Sequence, residues 1–167
     1  MKKASRLLAA GVVVALVLAA VAVWTVVRWS NKVDDAHQDQ ARTRDAVLLQ
    51  AQDAAVALSS LDYRNSQAVV ARWGEVSTGD LHKSLLEGDA NYQQLIATGK
   101  VVATAEVAGA AVESLSSDAR SAVVLVGLDV TVTPKGKSPQ IENERLVVTM
   151  TMTPQGWKAS AMSPVVD

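Results

Sequence analysis

The sequence predicts an α+β domain carried behind a single membrane-spanning helix. Three observations predict it. Residues Leu7 to Val27 form an uncharged run of twenty-one positions; from there to Gly99 apolar residues recur every three or four positions; from Val101 onward they recur every second position. A helical half followed by strands joined through short turns argues for helices covering one face of an antiparallel sheet, not for alternating βαβ units. The expectation is about three helices on a curved four-stranded antiparallel sheet. A length of 167 residues admits one such domain plus a membrane segment and excludes a large multidomain enzyme.

The apolar run LLAAGVVVALVLAAVAVWTVV reaches roughly 32 Å as a helix, enough for the hydrocarbon core of a bilayer. Lys2, Lys3 and Arg6 precede it and assign residues 1–6 to the cytoplasm, while Trp24 and Trp29 sit where an interfacial aromatic belt belongs. Ala20-Val21-Ala22 offers a small-residue cleavage site, but the run is longer than a signal h-region and continues to Val27, so an uncleaved anchor over 7–27 is the better reading. The bilayer is therefore one expected partner, with the C-terminal part outside the cytoplasm.

Residues 28–46 are polar, with Asp34, Asp35, His37, Asp39, Arg42 and Arg44, and contain neither Gly nor Pro, which predicts a solvated juxtamembrane helix. The domain proper is expected over 47–167. Val47, Ala51, Ala54, Leu58 and Leu61 fall at steps of four, three, four and three and put one apolar stripe on a helix. Asp62-Tyr63-Arg64-Asn65 interrupts it, Asn65 or Ser66 caps a short helix carrying Val69, Val70 and Trp73, and Gly74 ends that helix. After the turn chemistry of Ser77-Thr78-Gly79-Asp80, a third helix carries Leu81, Leu85, Gly88, Tyr92 and Leu95, with Gly88 as a break or kink, and Gly99 closes it.

The period then changes to two. Val101, Ala103, Ala105 and Val107 form one side of a first strand, and Ser116-Ser117-Asp118 makes a turn. Ala122, Val124, Val126, Leu128, Val130 and Val132 line one face of a long, central second strand, with Val123, Leu125, Gly127, Asp129 and Thr131 on the other. The loop Pro134-Lys135-Gly136-Lys137-Ser138-Pro139 leads to a third strand with Leu146, Val148, Met150 and Met152 on one side. Thr153-Pro154-Gln155-Gly156 turns into a fourth, where Trp157, Ala159 and Ala161 share a side. There is no internal repeat.

Charge and composition narrow the chemistry. Lys2, Lys3, Arg6 and Arg28 flank the apolar run, so residues 29–167 carry twelve cations against seventeen anions, a net of −5. Phosphate backbones are repelled by that balance, and no nucleic-acid partner is expected. With zero Cys there is no disulfide framework, thiolate metal site or thiol nucleophile.

The order of landmarks resembles the actinobacterial mammalian-cell-entry (Mce)-associated membrane proteins: a membrane helix, a polar helix, Leu61-Asp62-Tyr63, Thr78-Gly79-Asp80-Leu81, Lys100-Val101-Val102-Ala103-Thr104, Ala122-Val123-Val124-Leu125-Val126 and the terminal Gly156-Trp157-Lys158-Ala159-Ser160. The resemblance covers about residues 45 to 164 and implies a cystatin-like cone of the nuclear-transport-factor-2 type, similar also to the inner-membrane scaffold subunit of type IV secretion systems. It further implies protein partners, Mce-type transporter subunits above all, and a supporting role in lipid or sterol import. The chain departs from relatives at Asn143-Glu144-Arg145, where they often carry an aromatic entering the third strand.

No residue pattern demands catalysis, a cofactor or a metal. His37 and His82 sit in polar settings and read as solvated; no Gly-x-Ser-x-Gly elbow occurs, and no catalytic triad is expected. Because the cone fold hosts enzymes elsewhere, Asp129, Tyr63 and Tyr92 are the acid and phenol candidates, with Asp129 read as an exposed sheet residue or the partner of a cross-strand Lys or Arg. A pocket in the cone would be lined by Tyr63, Trp73, Tyr92 and Trp157. Val123, Leu125 and Val147 point away from the helices and form a candidate docking patch. Lys135 and Lys137 read as solubilising loop charges. The expected function is thus that of a non-enzymatic accessory protein working by protein contact; a small-ligand or isomerase-like cone and a secretion-type scaffold are the alternatives.

Overall fold

A computed structural model of the chain describes residues 40–165. The expected cytoplasmic tail, the spanning segment 7–27 and the juxtamembrane residues before 40, with His37, Trp24 and Trp29, lie outside the described residues. Among the described residues no helix is long and apolar enough to cross a membrane. The chain divides into two compact units, Met1–Arg42 and Thr43–Asp167, and the second holds the fold that follows.

Helix α1 is described over residues 40–59 and runs without interruption through residues 46 and 47. Its expected stripe is present: Val47, Ala51 and Ala54 are buried, and so is Ala55, one step wider. Leu61 leaves the stripe, because α1 ends at 59 and Leu61–Asp62 forms a two-residue strand, β1. The side chains just there favour a helix end: the Ser59 hydroxyl reaches Glu144 at 3.4 Å, and the Ser60 hydroxyl accepts the Ala105 N–H at 3.1 Å. A single 3₁₀ turn, Tyr63–Asn65, follows, capped by the Asp62 carboxylate on the Arg64 N–H.

Helix α2 spans Ser66–Val76, so Gly74 lies inside it instead of ending it. Val76 is buried in the core, and that burial, about 1.5–3 kcal/mol for a Val, outweighs the roughly 1 kcal/mol that Gly costs a helix interior. The third expected helix is two: α3, Gly79–Glu87, and α4, Asp89–Gly99. Gly88 separates them at φ −93° and ψ 0°, its N–H donating to Ser84 O at 3.1 Å and its carbonyl accepting from the Tyr92 N–H at 2.8 Å. The break resets the helical phase, which is why Ile96 is buried in α4 and Leu95, expected in the stripe, is exposed. Lys100, not Gly99, takes the left-handed conformation that closes α4, at φ 52°.

The sheet has five strands in the order β1-β2-β3-β4-β5, all antiparallel, with β2 Val101–Leu115, β3 Ser121–Pro134, β4 Gln140–Thr153 and β5 Gly156–Pro164. β3 is central and alternates as expected: Ala122, Val124, Val126, Leu128 and Val130 are buried, while Leu125 and Asp129 are exposed. β4 starts at Gln140, earlier than its apolar alternation announces, because β3 offers it a partner as far as Val132. Among the described residues three bulges shift side-chain phase, two in β2, the second of them between Val112 and Ser114, and one in β5. In β2 one lies between Val107 and Gly109, so the core face runs Ala103, Ala105, Val107 and then Ala110 and Val112. In β5 the extra residue is Ser160, so Ala161 pairs with Thr149 on the open face and is exposed, and Met162 turns to the core opposite Val148. Ala161 therefore leaves the side it was expected to share with Trp157 and Ala159.

The core lies between α1 and the sheet: Val47, Ala51 and Ala54 meet Val124, Val126, Leu128, Val148, Met150 and Trp157. At the β5 edge the loop between α2 and α3 closes down, with Ser77 bridging Ala159 in parallel and the Thr78 N–H donating to Ala159 O at 2.8 Å.

Candidate functional site

Three places could host function: the space between helices and sheet, a cleft at the β1 side, and the open face of the sheet. The first is filled. Val47, Val124, Val126, Leu128, Val148 and Met150 occupy it, each with at most 2% exposure, and a close-packed interior leaves no room for a ligand.

The expected pocket aromatics do not converge. Trp73 and Tyr92 meet edge to face, ring centroids 6.0 Å apart at 75°, and the Trp73 Nε1–H donates to Ala57 O at 2.9 Å, tying α2 to α1. Tyr63 is half-buried in the 3₁₀ turn. Trp157 is a core residue at 4% exposure, beside a small polar recess bounded by Gln50, Arg72 and Gln155, and its Nε1–H has no hydrogen-bond partner among the described residues.

The cleft at the β1 side has a volume of about 570 Å³ and is built from α1, the 3₁₀ turn, α2 and the start of β2. Its floor is apolar, with Val56, Ala57, Leu61, Val69 and Ala103; its rim carries the ion pairs Arg72–Asp53 and Arg64–Asp62, while Glu75, a further partner of Arg72, lies outside the lining. Arg72 on α2 reaches Asp53 on α1 at 2.7 Å and Glu75 at 3.1 Å, and these contacts, that with Glu75 foremost, hold its guanidinium above the ordinary value. Arg64 grips Asp62 at 2.6 Å, which pulls that carboxyl below the usual carboxylate range. Each rim charge is neutralised within the chain, so the cleft offers an apolar group a floor and presents no unbalanced charge to a polar one.

Ser77 and His82 form a pair that sequence reasoning missed. Ser77 Oγ lies 3.1 Å from His82 Nδ1, which is half-buried and not solvated as expected. A serine beside an imidazole is the arrangement of a nucleophile and base, but Ser77 is 2% exposed and closed to a substrate, so the pair serves to lock the α2–α3 loop. Among the described residues no group of three or more His, Asp or Glu is placed to hold a metal. Asp129 is exposed, as expected; its partner is the Asn143 amide at 2.5 Å, not a cross-strand cation. In the same departing segment, Glu144 faces the helix side and accepts from Ser59.

The open face carries the expected docking residues together. Leu125 stands in register between Ala111 and Val147, and Val123 opposite Thr149, one step along. Leu125 is 40% exposed, while Val123 and Val147 are half-buried. Beside them Gly109 and Gly127 pair directly across β2 and β3, leaving bare backbone that floors a shallow groove of about 470 Å³ bounded by Leu125, Arg145 and Val165. This notch was readable in principle: a hairpin centred on the turn at Asp118 places the two glycines opposite one another. The cleft and the Ser77–His82 pair have no comparable signal, since they join residues from separate elements.

The family model described as "Uncharacterized protein Rv1363c/MT1408-like" matches residues 5–165. No curated protein matches the sequence. Among solved structures, the periplasmic domain of DotI superposes with a TM-score of 0.60 at 18% identity, over 74% of this chain and 95% of the other. CagV from Helicobacter pylori strain 26695, a VirB8 homolog of a type IV secretion system, gives 0.57 at 11% identity over 72% and 97%. A putative aromatic ring hydroxylase from Novosphingobium aromaticivorans gives 0.52 at 16% over 75% and 94%. These likenesses establish the fold, the α+β cone of the nuclear-transport-factor-2 type. One fold shared by a periplasmic domain, a secretion-system protein and a putative hydroxylase leaves activity to be argued from the site.

Proposed function

The chain belongs to the Rv1363c/MT1408-like family, and from that membership together with the fold we propose that it is a non-enzymatic accessory protein that works by protein contact. In this reading the segment 7–27 anchors it in the membrane and its α+β domain stands outside the cytoplasm. The observation that carries the proposal is the contrast between the two faces of the sheet. The helix-covered face is packed solid, with Leu128 and Met150 at most 1% exposed, whereas the other face leaves Leu125, Ala111 and a glycine-floored groove open.

The solved neighbours, two of them described as a periplasmic domain and as a VirB8 homolog of a type IV secretion system, favour a scaffold subunit of a larger assembly. Within that class, the landmarks shared with Mce-associated proteins favour an Mce-type lipid or sterol importer as the assembly concerned. Both need the same thing of this chain: a fixed height above the bilayer and a surface that partners recognise.

Affinity capture of the intact chain from mild detergent, with identification of co-purifying membrane subunits, tests the reading. We expect transporter or secretion subunits to be recovered, and Leu125→Asp to reduce their recovery severalfold, since a charge at a buried interface core is costly. An empty capture, or equal recovery with Leu125→Asp, overturns it.

The cleft at the β1 side supports a second reading, a binder of small apolar ligands. Ala57, which lines it, also accepts the Trp73 indole hydrogen bond. Saturable change in Trp fluorescence on titration with oleate, lost in Val69→Phe, favours this second reading.

A further inference from the structure

β2 is fifteen residues long, yet on its outer side β1 covers only Val102 and Ala103. The Ser60 hydroxyl takes the next outward N–H, that of Ala105. Beyond Ala105 no described strand lies beside β2. Backbone groups alternate direction along a strand, so if Ala105 points outward, Val107 does too. Past the bulge, the ladder with β3 turns Ala110 and Val112 the same way. Between Val107 and Val112 the outward donors and acceptors of the edge therefore have no backbone partner among the described residues, and its side chains are small: Val107, Ala108, Gly109 and Ala111 are all exposed. An open edge of this kind is a template for strand addition.

Charge decides what can add to it. Glu106 precedes this stretch and Glu113 follows it, both exposed. A second copy pairing antiparallel over Val107 to Val112 would bring Glu106 of one chain against Glu113 of the other at both ends, and like charges in opposition destabilise a ladder. The same two carboxylates suit a strand with a cation at each end. The geometry points to the β2 edge, Val107 to Val112, as a strand-addition site for an extended segment of a different protein, with Lys or Arg bracketing a β-branched centre. This deepens the contact-based reading above by naming the surface and the chemistry of the partner segment.

The probe is a labelled peptide, Lys-Thr-Val-Thr-Val-Thr-Lys, and its twin with Glu at both ends, titrated by fluorescence anisotropy against the intact chain in detergent micelles. The Lys-ended peptide should bind about tenfold tighter than the Glu-ended one. Bound, it should slow amide exchange at Val107, Ala110 and Val112. Glu106→Lys with Glu113→Lys should invert the preference between peptides, and Ala110→Pro, which removes an outward N–H and spares the β3 ladder, should abolish binding with an unchanged circular dichroism spectrum. Equal affinity for the two peptides, or protection confined to other strands, overturns the proposal. So does self-association that protects the same amides without peptide, because a second copy would then be the occupant. If the double charge reversal leaves captured membrane subunits unchanged and the peptides do not discriminate, the edge assignment alone fails; an empty capture with discriminating peptides fails the broader reading instead.

Discussion

Gly88→Ala should destabilise the protein although it replaces glycine by a better helix former. A Cβ on residue 88 would lie 2.9 Å from Tyr92 Cδ2 and 3.1 Å from Cζ, and closer still to Cε2. Backbone is not in the way, so the phenol ring must swing out. Leaving Trp73 loses an edge-to-face contact worth about 0.5–1.5 kcal/mol. A half-buried ring turned to solvent also surrenders on the order of 50 Å² of apolar burial, about 1 kcal/mol. Against this, φ −93° and ψ 0° are open to alanine, whose stiffer unfolded chain returns about 0.4–1 kcal/mol. The net expectation is a loss of about 0.5–2 kcal/mol. In a Tyr92→Ala background the clash is gone, and the same substitution should stabilise by about 0.4–1 kcal/mol. Urea unfolding of the four proteins, followed by circular dichroism and Trp fluorescence, reads both values. The reasoning is refuted if Gly88→Ala is neutral or stabilising with Tyr92 present, or if its sign is the same in both backgrounds.

Leu128→Ala, at 1% exposure in the central strand, should cost about 2–5 kcal/mol, seen as a lower urea midpoint with unchanged slope; a cost under about 1 kcal/mol would mean the interior is not close-packed. Ser77→Ala should cost about 0.5–1.5 kcal/mol by orphaning His82 Nδ1, and should speed amide exchange at Thr78. Unchanged exchange at Thr78 would argue that the pair does not hold the loop. Two carboxyls set an acid limit: the Arg64 guanidinium beside Asp62, and the Ser116 hydroxyl with the Arg120 N–H beside Asp118, each pull the group below the ordinary 3.8. The folded state therefore binds these protons more weakly than the unfolded chain, so their stabilisation is full above that value and is lost as pH falls through it and below. Urea midpoints should decline from about pH 4 downward, and less steeply in Asp118→Asn; identical slopes would remove Asp118 from the account.

Much of this fold was legible because one periodicity governed each segment. Val124, Val126, Leu128 and Val130 alternate on a strand buried on one face only, and nothing interrupts the count. The stripe on α1 was readable for the same reason, and it failed only at Leu61, where side-chain hydrogen bonds of Ser59 and Ser60 end the helix. Where a single residue resets the phase, periodicity misleads. Gly88 rotates α4 so that Ile96 and not Leu95 faces inward, and the extra residue Ser160 turns Ala161 outward. Those shifts are backbone events, invisible to a pattern of apolar letters. That Val123, Leu125 and Val147 share the open face followed from alternation alone. The cleft, with Asp53 and Arg72 joined across nineteen positions, and the Ser77–His82 pair depend on tertiary packing that no local rule encodes.

Each strand of this sheet pairs with the one that precedes it in the chain, and no connection crosses over another. Order of synthesis and order of assembly can therefore coincide: a polypeptide appearing N-terminus first would find a neighbour already waiting for every new strand. Short-range zipping of this sort spares the slow search that distant pairings demand. The final strand closes against β4 and receives the α2–α3 loop on its far side, so truncation within β5 should release that loop and leave a nascent, unsealed fold.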